Sequence, residues 1–202
     1  MVLTKLFIMR ILLTSCLLFL SFCACTQKYR DGDLIFQHSV SVQSTAVQLA
    51  TSSYYSHCGI IFYLNGEPYV FEAIEPVGVR TLEDWINSGE DQNYAVYRLK
   101  NRSLNATELS TMKSYLKNQL DKHYDLGFNW SDKEMYCSEL VFKAYQQIGI
   151  TLCPTQALGS FRLDHPKVKR ILTQRYGNNI PYDEPMVSPG QLSDSKLLYK
   201  VN

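Results

Sequence analysis

Metal-ligand spacing is missing from this chain: its six cysteines include no CxxC pair and its four histidines stand apart. A zinc site gathers three or four thiol or imidazole ligands, usually at short spacings, so no metal is expected, and no other cofactor. Three cysteines fall in the first 25 residues, which leaves Cys58, Cys137 and Cys153, too few and too scattered for a disulfide framework. Charge of one sign is lacking as well. Lys and Arg number 20 against 19 Asp and Glu, a net charge of +1. The densest basic cluster, Lys167, Lys169 and Arg170, reads as a solvated helix face, so nucleic acid is not an expected partner. Beyond residue 24 there is no long apolar run, no internal repeat and no low-complexity stretch.

The beginning of the chain is different. Lys5 and Arg10 precede an apolar stretch from Ile11 to Phe22 that is shorter than the roughly 20 residues a membrane-spanning helix needs. Leu20-Ser21-Phe22-Cys23-Ala24-Cys25 resembles a bacterial lipoprotein signal, with Cys25 as the lipidated new N-terminus. Leu13-Thr14-Ser15-Cys16 is closer to the lipobox spelling, but cleavage there would strand the apolar stretch after it. An ordinary signal peptide or an uncleaved anchor are the alternatives. The expected organisation is a signal over 1–24, a tether over 25–30 and one domain over 31–202. A lipid anchor would make the membrane a partner and place the protein in the cell envelope. Thr26 after the cysteine favours the outer membrane.

Within the domain, Tyr29 to Phe36 reads as a turn entering a strand, and Val40 to Ala50 has a loosely helical spacing. Strands over His57 to Leu64 and Tyr69 to Ile74 flank Asn65-Gly66, a strong two-residue hairpin signal. A short helix is expected from Thr81 and a strand over Tyr94 to Leu99. Asn105 and Glu108 have capping-box spacing at the head of a helix reaching Lys122, with Leu109, Met112, Leu116 and Leu120 on one face. Tyr124 to Asp132 is an aromatic loop, and a helix over Met135 to Ile148 ends at Gly149. A helix over Lys167 to Arg175 and a strand over Leu197 to Val201 close the chain. Strands grouped early with helices beside them predict an α+β domain.

Two side chains carry the chemistry. A thiol becomes a nucleophile only when a base or a positive field makes it a thiolate, and Cys137 with His57 is the minimal pair for that. Cys137 precedes the stripe Leu140, Val141, Ala144, Tyr145 and Ile148, so it points inward, a position a packing cysteine would fill equally well. If Asn65 and Gly66 are the loop, Gly59 faces Glu72 and His57 faces Ile74, so His57 and Glu72 are diagonal neighbours on one face. A Cys-His-Glu triad follows; a three-residue loop would present Glu75 instead. Cys58 alternates away from His57 and reads as core, and His38, His123 and His165 read as surface residues.

Gly32-Asp33-Leu34-Ile35-Phe36, Ser56-His57-Cys58-Gly59-Ile60, Phe71-Glu72-Ala73 and Tyr136-Cys137-Ser138-Glu139-Leu140-Val141, in that order, resemble the permuted papain-like branch of the NlpC/P60 superfamily, its YiiX/YebB-like group related to lecithin retinol acyltransferase. The resemblance implies an antiparallel sheet packed against helices, with the nucleophile at a helix N-terminus. It also implies Cys137 as nucleophile, His57 as general base and Glu72 as the residue orienting it. Ser131 and Glu134 spell an earlier helix start; the resemblance favours a start at or just before Cys137. Tyr136, Asp33 and Tyr55 are further candidates for the oxyanion or the substrate, and Tyr54-Tyr55 and Phe128-Asn129-Trp130 for the walls of a cleft.

The expected activity is that of a cell-envelope cysteine amidase or peptidase acting through a thioester, first on peptidoglycan-derived peptides. A lipid or fatty-acyl amide or ester hydrolase or acyltransferase is the alternative, since an anchored enzyme is held at a bilayer. A non-catalytic envelope-binding lipoprotein would need no thiol and base in register. A serine hydrolase using Ser138 lacks the G-x-S-x-G turn.

Overall fold

The computed structural model describes residues 27–202. The expected signal, lipidation at Cys25 and the first part of the tether lie outside them. Among the described residues no helix is long and apolar enough to cross a membrane.

Six antiparallel strands form the sheet, in the order β4-β3-β2-β1-β5-β8: β1 is Leu34–Ser39, β2 His57–Leu64, β3 Glu67–Glu72, β4 Gly78–Thr81, β5 Gly89–Leu99 and β8 Leu198–Lys200. The hairpin between β2 and β3 forms as its sequence predicts. Asn65 and Gly66 both take positive φ, 53° and 89°, which a tight two-residue turn requires, and Leu64 pairs with Glu67. The same ladder pairs Ile60 with Phe71 and, one step on, brings Gly59 opposite Glu72. Glycine is needed there. A Cβ on Gly59 would lie 2.5 Å from Val70 Cγ1 and 2.7 Å from the Phe71 carbonyl oxygen.

Alternation gives the sheet two buried faces. Leu34, Phe36, Cys58, Ile60, Phe62 and Phe71 pack under α3 (Ala106–Gln119) and α4 (Cys137–Gln146), whose Met112, Leu116, Leu140 and Val141 complete the main core. Ile35, Ile61, Val70 and Val96 face the other way, onto Leu82 and Trp85 of the short α2 (Leu82–Asn87). The capping box of α3 is present: Glu108 N–H donates to the Asn105 side chain at 3.0 Å, and Asn105 N–H to the Glu108 carboxylate at 2.9 Å.

A third cluster lies beside the sheet. There α1 (Val42–Thr51), capped by Ser41, packs against α5 (Pro166–Tyr176) through Ala46, Val168 and Leu172, with Leu158 between them. The pair of two-residue strands β6 (Gln156–Ala157) and β7 (Pro185–Met186) and the short α6 (Pro189–Ser193) complete the fold. The α+β architecture, with its antiparallel sheet against helices, is as expected. The sequence reading missed β4, β6, β7 and α6, which are too short to show a hydrophobic period.

Candidate active site

Helix α4 begins at Cys137, and Tyr136 is its N-cap. Of the two possible starts the later one forms: Glu139, not Glu134, reaches back to the N-cap residue, its carboxylate 3.5 Å from Tyr136 N–H. Cys137 is therefore the first residue of the helix, where backbone N–H groups have no partner within the helix and the helix field favours an anion.

His57 is the first residue of β2, at the end of the sheet. Its Nε2 meets Glu72 Oε2 at 2.5 Å, which leaves Nδ1 as the other functional nitrogen. Glu72 is fully buried, and three donors satisfy it. Oε2 also accepts the Trp85 indole N–H at 2.9 Å, and Oε1 accepts Arg80 Nε. Burial would raise the Glu72 pKa, but the bonds to His57 and Arg80 outweigh it and hold the carboxyl below its ordinary value.

The structure brings Cys137 into this group. Burial alone would lower the His57 pKa; hydrogen bonds to Cys137 and Glu72 overcome it and push the imidazole up to about 10. The Cys137 thiol moves the opposite way, well below its ordinary value. The neighbouring Cys58 is the largest cause; burial opposes it, and His57 adds to it. Opposite shifts on neighbouring acid and base favour the thiolate–imidazolium form of the pair.

Cys58 belongs to the core, as its alternation predicts, but it shares that core with Cys137. Its own thiol is pushed well up, first by burial and then by Cys137. Sequence reasoning missed this contact, Trp85 and Arg80. The exclusion of Cys58 from the site rested on its facing away from His57, yet facing away from His57 means facing the helix that carries Cys137. Glu75, the alternative to Glu72, is exposed and pairs with the exposed His123 at 2.7 Å.

A cleft opens at Cys137, walled by α1, α5, the 124–128 loop and the segment before α6. Its lining is largely apolar, including Ala46, Val47, Leu158, Val168, Leu172 and Phe128, with Tyr136 beside the thiol. A second cavity lies on the His57 side and is polar, with Gln37, Ser39, Ser41 and Arg80 in its wall. Gln43, Ser56 and Tyr124 line both.

Two expected site residues are elsewhere. Asp33 is buried in a bidentate ion pair with Arg98, both contacts at 2.7 Å, and accepts Arg30 N–H at 2.8 Å; it supports the start of β1 and does not line the cleft. Its motif position had suggested a site role, but a carboxylate at a strand entrance is also a natural anchor. Tyr55 packs among Phe36, Tyr54 and Tyr97, and Trp130 lies against Phe142 and Lys143, so neither is in the cleft wall. Of the aromatic candidates Phe128 lines the cleft, and Tyr136, whose hydroxyl accepts Val187 N–H at 3.3 Å, keeps its own proton free to donate.

Residues 28–202 match the model of the permuted papain-like amidase enzymes, the YaeF/YiiX, C92 family. The uncharacterized protein YiiX of Escherichia coli (strain K12) is 43% identical over 173 residues, covering 85% of each chain. A crystal structure titled as that of the metalloprotein YiiX from Escherichia coli O157:H7 superposes with a TM-score of 0.83 at 43% identity, covering 87% of this chain and 97% of that one. With a papain-like fold shared with YiiX and a family match running the length of the domain, the chain belongs to the permuted papain-like cysteine amidases and peptidases of the YaeF/YiiX family.

Proposed function

We propose that the protein cleaves an amide, or a related ester, whose acyl part is a hydrocarbon chain, using Cys137, His57 and Glu72 at the cell envelope. The observation that carries the choice is the wall of the cleft at Cys137: it is a hydrocarbon surface from α1 to α5, with few groups to receive the backbone of a peptide. A cell-wall peptide, the first expectation from sequence, would leave its amide groups unpaired there. The polar cavity beyond His57 suits the leaving amine or alcohol.

In this reading the Cys137 thiolate attacks the carbonyl carbon, and the charge developing on oxygen meets the Cys137 N–H at the head of α4. The Tyr136 hydroxyl is the second donor. The imidazolium of His57 gives its proton to the leaving nitrogen or oxygen as that bond breaks, and a thioester remains on Cys137. Water then gives a proton to His57, attacks the thioester and releases the carboxylic acid and the thiolate. Glu72 stays ionised throughout and holds the ring. The signal-like start and Cys25 support a lipid tether that would keep the cleft near a bilayer.

No step of this reading runs through a metal, although the neighbouring YiiX is described as a metalloprotein. Among the described residues no three His, Cys, Asp or Glu side chains stand together as a metal-binding group.

The test is turnover of acetyl, octanoyl and dodecanoyl p-nitroanilides beside a muropeptide mixture. Because each buried methylene contributes about 0.8 kcal/mol, kcat/KM should climb up to about fourfold per carbon until the cleft is full. Ala46→Trp should remove that gain and leave the acetyl substrate unaffected. Muropeptide cleavage with no dependence on acyl length would establish a cell-wall peptidase instead.

A further inference from the structure

One cation stands in the otherwise apolar wall. Arg175, on α5, lines the cleft with Cys137 and is largely withdrawn from water, and no carboxylate lies within ion-pair distance of it among the described residues. Burial pushes its pKa down, outweighing the opposing effects of Tyr124, Tyr176 and Asp125. Asp125, the acid that acts on it electrostatically, has Oδ1 engaged in its own loop, where it accepts Gly127 N–H at 2.7 Å, while its buried Oδ2 has no hydrogen-bond partner among the described residues.

The guanidinium is nevertheless held in a fixed attitude. Its Nη2 donates to Gln43 Oε1 at 2.6 Å and its plane lies over the Phe128 ring, 4.6 Å from the centroid. A guanidinium has five N–H donors, and Gln43 takes one; the others have no partner among the described residues. Gln43 in turn donates to the Tyr124 hydroxyl at 3.2 Å, and Tyr124 is close enough to Cys137 for the thiolate to raise its pKa. Arg175 is thus two side chains from the nucleophile, through Gln43 and Tyr124, which line both cavities.

An oriented guanidinium with unpaired donors in a largely apolar cleft is a receptor for a planar or tetrahedral anion. We propose that Arg175 is a specificity-determining residue: it receives an anionic group, a carboxylate or a phosphate, lying a few bonds from the scissile carbonyl of an amphiphilic acyl substrate. The inference rests on the acyl-chain reading above and narrows it from neutral acyl amides to those with an acidic head.

The experiment measures how well ligands protect Cys137 of the full-length protein from iodoacetamide. The probes are two pairs matched except for charge: N-dodecanoylglycine against N-dodecanoylglycinamide, and 1-dodecanoylglycerol 3-phosphate against 1-dodecanoylglycerol. At least one acid should protect at a concentration about tenfold or more below its neutral twin, as expected of a charge-assisted bond, and the better acid tells carboxylate from phosphate. Arg175→Lys should keep part of that preference and Arg175→Gln should lose it. Equal protection by acid and neutral twin in the wild type, or a preference that survives in Arg175→Gln, would make Arg175 a brace between α5 and α1 and end the proposal while the acyl reading stands. Protection by none of the four would overturn the acyl reading, and this inference with it.

Discussion

Trp85 donates its indole N–H to Glu72 at 2.9 Å, on the same carboxylate oxygen that holds His57, and its ring stacks on the imidazole with centroids 5.9 Å apart and planes inclined by 22°. The tryptophan therefore fixes both the acceptor and the plane of the histidine. Because Trp85 and Glu72 face the side of the sheet away from α4, while Cys137 approaches from the α4 side, His57 has to reach both at the end of its strand.

Trp85→Phe separates these two roles. The phenyl ring keeps the stacking and removes the donor, so the protein should fold while kcat falls by about tenfold, the loss of one hydrogen bond to a charged group. Glu72→Gln should cost more and His57→Ala more again, with KM nearly constant across the series. A Trp85→Phe enzyme with wild-type kcat would show that the indole N–H is ordinary packing.

The pH dependence follows from opposite shifts. His57 is raised, so its interactions stabilise the fold fully below its ordinary value and are lost as pH rises through about 10. Cys137 is lowered, so its contribution is present above the ordinary thiol range and is lost as pH falls through its depressed pKa. The ion pair occupies the window between them. Iodoacetamide should alkylate Cys137 at a plateau rate extending well below the free-thiol pKa of about 8.5. Amide hydrolysis needs the His57 proton for the leaving group, so kcat should decline again on the alkaline side, near pH 10. Alkylation that follows an ordinary thiol curve, unchanged in His57→Ala, would mean that no ion pair forms.

Much of this geometry was legible in the sequence, because it is set by local rules. Asn65-Gly66 fixes the hairpin register, and the register places Glu72 diagonally from His57 without any knowledge of the fold. Trp85, Arg80 and Arg175 were not legible. Each reaches the site from an element whose position depends on tertiary packing, and no spacing in the chain links residue 175 to residue 43 or 137. Motif position misled in the case of Asp33, where a strand-entrance anchor and a site residue look the same on paper.

Cys58 supplies a third test. As the largest cause of the lowered Cys137 pKa, its thiol should matter to the nucleophile although it never touches the histidine relay. Cys58→Ala should move the acid limb of the alkylation profile to higher pH, and Cys58→Ser, which restores a donor, should move it less. An unshifted limb in both variants would assign the activation to His57 and the α4 N-terminus alone.

The ion pair of Asp33 with Arg98 gives the control in the opposite direction. Asp33 is buried and Arg98 mostly so, and removing one partner strands the other charge in a poorly solvated place, a loss of about 3–5 kcal/mol. Asp33→Ala should therefore lower the thermal midpoint by several degrees. It should leave kcat/KM and the Cys137 alkylation profile unchanged at temperatures where the variant is folded, since Asp33 lines neither cavity at the catalytic pair. A selective fall in kcat/KM at full stability would return Asp33 to the substrate site, where its motif had first suggested it.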